Sequence, residues 1–116
     1  MAEFEMQPNS QVKLYVTISS DAIVGSNVSL DGKFIKKSIS YRFTVDLGNS
    51  NDLNNSKVRT FSHFLIESGD IDPIMESTTM KCVIRDGHNE QEYQGRKIPG
   101  DDDYFVALRS IKLKLA

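Results

Sequence analysis

The stretch Ser38-Ile39-Ser40-Tyr41-Arg42-Phe43-Thr44-Val45-Asp46-Leu47 alternates apolar and polar residues along most of its length. A period of two belongs to a half-buried strand, whereas one face of a helix repeats about every three to four residues. This reading puts Ile39, Tyr41, Phe43, Val45 and Leu47 on one face. Gln11–Ser19 repeats the pattern with Val12, Leu14, Val16 and Ile18 inward, and Thr78–Arg85 does so with Met80, Cys82 and Ile84. In Tyr104–Leu115 the inward set is Val106 and Leu108, then Ile111, Leu113 and Leu115. The phase slips by one near Arg109-Ser110, which predicts a bulge there. Lys112 and Lys114 would then lie on the outer positions and guard an exposed edge against pairing with another chain.

The segments between these strands carry turn chemistry. Asp31-Gly32 lies between Asn27–Leu30 and Lys33–Lys37, and Asp-Gly suits the positive φ angles of a tight hairpin. Asp86-Gly87 opens a second connection, and Pro99-Gly100 is expected to turn the chain into the last strand. The run 48–56 is polar and Asn-rich with almost nothing to bury, and is expected to be a mobile loop. Val58–Glu67 can be read as helix or strand. Its β-branched and aromatic residues favour a strand with Phe61, His63 and Leu65 on one face and Val58, Thr60, Ser62, Phe64 and Ile66 on the other. Asp72–Glu76 reads as one helical turn with Pro73 at its first position.

Together these features predict an all-β fold: an antiparallel β-sandwich or small barrel of about seven or eight strands. At most one short helical turn, near 72–76, interrupts it. The whole of 1–116 reads as one domain, with residues 1–10 as an N-terminal arm.

The chain has 116 residues, 39% of them hydrophobic and 26% charged, which suffices for a core without staples. Its net charge of −2 argues against nucleic acid as a partner, since binding phosphates needs a basic excess. Apolar runs are too short to span a membrane. Cys82 is the single cysteine, so no intrachain disulfide can form. That and the acidic start, Met1 to Met6, point to a cytoplasmic or otherwise non-secreted setting.

Sites for chemistry are sparse. Asp70 and Asp72, with Asp101, Asp102 and Asp103, are the candidate hard-oxygen ligands for a cation, but no calcium-loop spacing accompanies them. His63 and His88 with Cys82 fall one ligand short of a Cys/His zinc site. Cys82 shares an inward face with Met80 and Ile84, which suits a core residue and not an exposed thiolate. No nucleophile elbow and no phosphate-binding loop occurs. No catalytic residue and no cofactor is therefore assigned. The residues singled out for interaction are Phe4 and Met6 in the arm, suited to strand addition on a neighbour, and the outward Tyr15 and Tyr104. The reading is a non-enzymatic structural or protein–protein interaction module, self-associating or joining other protein subunits in a larger assembly. The alternative is a small β-sandwich that binds a small ligand or carbohydrate, with Tyr15, Tyr93 and Tyr104 as stacking surfaces.

Overall fold

The computed structural model describes residues 2–116. In chain order its elements are β1 (Ala2–Met6), β2 (Gln11–Ser19), β3 (Ile23–Leu30), β4 (Lys33–Ser38), β5 (Arg42–Asn49), β6 (Lys57–Leu65), α1 (Ile71–Ser77), β7 (Thr79–Arg85), β8 (Glu90–Gln94), β9 (Arg96–Asp101) and β10 (Tyr104–Leu115), with a single 3-10 turn at Ser50–Asp52. No helix among the described residues is long and apolar enough to cross a membrane.

The alternation of β2 and β7 does what the sequence predicts: Val12, Leu14, Val16, Ile18, Met80, Cys82 and Ile84 are all buried. These strands lie at the centre of a four-stranded antiparallel sheet in the order β5-β2-β7-β8. Val58–Glu67 resolves as strand β6, with Val58, Thr60, Ser62 and Phe64 inward. It sits in a six-stranded sheet ordered β1-β10-β6-β3-β4, with β9 also paired to β10. The inner faces of the two sheets share one hydrophobic core. Phe64 and Phe105 stack at its centre with ring centroids 4.7 Å apart. A buried polar seam runs through it, where the Ser26 and Ser62 hydroxyls meet at 2.7 Å and Ser62 Oγ lies 3.2 Å from Met80 Sδ. Among the described residues no buried side-chain polar atom lacks a partner, so the seam specifies register at little cost.

The all-β sandwich is as expected, but several local readings are corrected. Among the described residues there are ten strands, not seven or eight, and the β1–β10 pair is parallel. The 1–10 arm is no arm: β1 lies on β10 of its own sheet. The predicted ten-residue strand at 38–47 starts only at Arg42. Ser38 ends β4, the chain crosses between sheets at 39–41, and Ile39 is 86% exposed. β10 has no phase slip against β6, because its register runs unbroken from Tyr104↔Leu65 to Lys112↔Lys57. Phe105, Ala107, Ile111 and Leu113 are the buried set, and Arg109 takes an inward position in phase with them. The irregularity falls instead opposite Tyr104/Phe105, on β9. Pro99-Gly100 therefore lies within β9, an edge position where proline is tolerated, and the turn is made by Asp102-Asp103. Lys112 and Lys114 do not guard an edge, since β10 lies between β6 and β1 and they face Glu3 and Glu5.

The polar run 48–56 is also more anchored than expected. Ser50, Leu53 and Ser56 are buried. Ser50 N–H donates to the Ser10 carbonyl, and Ser50 Oγ to the Gln7 carbonyl. Asp31 and Gly32 carry φ of 52° and 83°, as a primed two-residue hairpin turn requires. In α1, Pro73 is the third residue and not the first.

Candidate functional site

The β3–β4 hairpin projects beyond the four-stranded sheet. All of Lys33–Lys37 is exposed, although β4 pairs along its length with β3. Lys36 lies opposite the buried Val28, so it occupies an inward position, yet no strand of the other sheet covers it. Phe34 is 65% exposed and Ile35 39%. A register shift between Val28 and Ser29 bends the hairpin. Bulges and lysines are the usual means of blunting a free edge, but here they flank apolar side chains that remain in water.

The two outer faces of the sandwich differ sharply. On the four-stranded sheet, Lys13, Arg42, Asp46, Lys81, Arg85, Glu90 and Glu92 face solvent, and part of this charge is paired within the face. Lys81 pairs with Glu92 at 3.7 Å, Arg85 pairs with Glu90, and the Arg85 guanidinium sits 4.6 Å over the Tyr15 ring. These are the two ion pairs found among the described residues. On the six-stranded sheet, directly opposed residues share a face, and three of its outward rows are largely apolar, whereas the row beyond them, Ser29, Arg59 and Ser110, is polar. Ile23, Leu65 and Tyr104 form one row, Gly25, His63, Val106 and Ile98 the next, and Asn27, Phe61, Leu108 and Arg96 the third. Ile23 is 47% and Leu65 41% exposed. Shallow open depressions lie on this face between β3, β4 and β6, one of them lined by Gly25, Asn27, Lys37 and Ile39, another by Phe34, Arg59 and Phe61.

The residues singled out from the sequence fall into different places. Phe4 and Met6 are core residues, 3% and 0% exposed, so neither is free to seek a neighbour. Tyr15 lies on the polar face beneath Arg85. Tyr104 lies on the apolar face and stacks with His63 at 5.2 Å between centroids. The Tyr93 hydroxyl donates to the Glu3 carbonyl at 2.7 Å, and partial burial raises its pKa despite the opposing field of Arg109. Asp70 precedes α1, Asp101 ends β9, and Asp102-Asp103 form the β9–β10 turn. The two segments are neighbours, since Ile66 N–H donates to the Asp103 carbonyl at 2.8 Å. Among the described residues, however, no three His, Cys, Asp or Glu side chains converge as a metal site would need. His88 is an exposed turn residue. Cys82 is buried, and burial pushes its thiol up to about 11, against the lowering contributions of Thr60 and Arg109.

Among the described residues Asp86 is the one buried carboxylate. Burial alone would raise its pKa, but the backbone N–H groups of Asn89, Gln7 and His88 outweigh that and hold it below the ordinary range. It ties the β7–β8 turn to the end of β1, with Gln7 N–H donating at 2.7 Å.

Phe34, Ile35, Phe61 and Leu65 were not singled out for interaction by sequence. The available signal was Lys33-Phe34-Ile35-Lys36-Lys37, a strand segment whose charges fall on both faces and which therefore lacks a side suited to a core. No protein-family model matches the chain, and no curated protein matches it.

Proposed function

We propose that the chain is a non-enzymatic structural or protein–protein interaction module that self-associates as a subunit of a larger assembly. The observation that carries this reading is the outer face of the six-stranded sheet, which exposes Ile23 and Leu65 at one end and Phe34, beside the bare edge of β4, toward the other. Contiguous apolar surface of this kind marks sites of interaction more often than idle surface. The opposite face, with its own ion pairs and cation–π contact, has no such need. The chain's nucleophile candidate also fits a structural role, since Cys82 is buried with its thiol protonated at neutral pH.

Sedimentation velocity from about one to a few hundred micromolar, a range spanning typical transient to stable contacts, tests the reading. Species larger than the 13.1 kDa chain that grow with concentration are expected. A monomer across that whole range would overturn the proposal.

A further inference from the structure

The molecule is elongated, 48 Å by 22 Å by 22 Å, and its charge is not spread evenly along it. One end gathers the 66–77 segment and the β9–β10 turn, with Glu67, Asp70, Asp72, Asp101, Asp102 and Asp103. The only amine reaching into the 66–77 segment among the described residues is that of Lys97. It is spent on the carbonyls of Met75 and Glu76, at 2.8 and 3.0 Å. Beside these carboxylates stand the exposed apolar side chains of Ile23 and Leu65. The β3–β4 hairpin reaches toward the other end, and its corner is the complement. Lys37, Lys57 and Arg59 share the outer face with the exposed Phe34, Lys33 and Lys36 stand on the reverse of the same strand, and the carboxylate of nearby Asp31 accepts the Lys57 backbone N–H at 2.8 Å.

We infer that the hairpin corner and the adjoining sheet face dock the acidic end of a second copy of this chain, so that copies join head to tail. This deepens the self-association reading and rests on it. Two features of the surface favour this occupant. Pairing of β4 with another β4 about a two-fold axis would set lysines against lysines, which is unfavourable in a sheet. The acidic end, by contrast, offers carboxylates for Lys37, Lys57 and Arg59 and apolar side chains for Phe34. Because the two surfaces differ and lie apart on one chain, the contact does not use itself up. It repeats and generates a ring or a filament. Opposed charge also steers the encounter and excludes the wrong ends.

Two charge-reversal variants of the full chain test this, each confined to exposed residues. One carries Lys37→Glu and Arg59→Glu, the other Asp102→Lys and Asp103→Lys. Circular dichroism and thermal unfolding first establish that both fold as the unaltered chain does. Each variant alone is expected to lose about a hundredfold or more in self-association, given the several kcal/mol that juxtaposed like charges cost. An equimolar mixture is expected to regain complexes, since each variant keeps the surface that the other needs. Raising the salt concentration is expected to weaken assembly of the unaltered chain. If both variants assemble as the unaltered chain does, or if the mixture stays monomeric, the head-to-tail contact is wrong while self-association stands. If the unaltered chain itself is monomeric, both readings fall.

Discussion

Along one side of the sandwich, where β1, β8 and β9 meet, the sheet edges are stitched together. Tyr93 donates to the Glu3 carbonyl, Arg109 Nε donates to the Gln94 carbonyl at 2.6 Å, and Gln7 N–H donates to Asp86. The chain crosses between sheets at Gly95, where an added Cβ would lie 2.9 Å from Met80 Cβ, so glycine suits the close approach. Along the opposite side, among the described residues, no backbone group of β4 bonds to anything beyond β3 and its own turn. The difference is between a seam and a surface. Groups satisfied within the chain contribute to folding, and groups left open are available only to something outside it.

Changes on the stitched side should therefore cost stability and spare association, and changes on the open side should do the reverse. The largest stability effect is expected from Phe4→Ala, about 3 kcal/mol by urea unfolding, because it empties a core position. A cost under about 1 kcal/mol would mean that β1 is detachable after all, well short of the typical core truncation. Asp86→Ala should cost about 2 kcal/mol, because it strands backbone N–H groups that the carboxylate now accepts. Its pKa is depressed in the folded state, so this contribution is present above the ordinary carboxylate range and fades as pH falls through the folded value. Unfolding curves of the two proteins should accordingly converge in acid. Tyr93→Phe should cost about 1 kcal/mol, the typical worth of one hydrogen bond. The smallest stability change is expected from Phe34→Ala, within about 0.5 kcal/mol because the side chain is mostly in water. The same substitution should weaken self-association about tenfold or more in sedimentation. If Phe34→Ala instead unfolded the protein, the seam-and-surface distinction would be lost.

The central strands were legible in the sequence because they are buried on one face, and burial on one face is what a period of two records. β2 and β7 followed from it directly, β6 needed its β-branched and aromatic residues to decide between helix and strand, and the Asp31-Gly32 hairpin came from its turn chemistry. The reading failed where apolar residues alternate for another reason. Ile39 and Tyr41 keep the rhythm of β5 but lie in the crossing between sheets, with Ile39 in water and the Tyr41 hydroxyl donating to the Ala22 carbonyl. In β10 an arginine takes an inward position, and Arg109 can do so because the Gln94 carbonyl receives its guanidinium. Polarity alone could not disclose that partner. The candidate surface was hidden for a related reason: a strand exposed on both faces looks like a loop when read for its core. Phe4 and Met6 showed the converse, being apolar residues correctly marked as needing cover and assigned the wrong source of it.

The parallel pairing of β1 with β10 has a consequence for how the chain reaches this state. Ala2 is registered with Ile111 and Met6 with Leu115, so the first strand finds its place only against the last. Every contact that buries Phe4 and Met6 in that pair closes a loop of almost the entire sequence, and contacts so distant are entropically costly and slow to form. During synthesis the first strand must wait, apolar side chains uncovered, until the last is made. The order of events in folding is thus expected to run from the β2–β7 and β3–β6 pairs outward, with closure of the stitched side as the final and rate-limiting step.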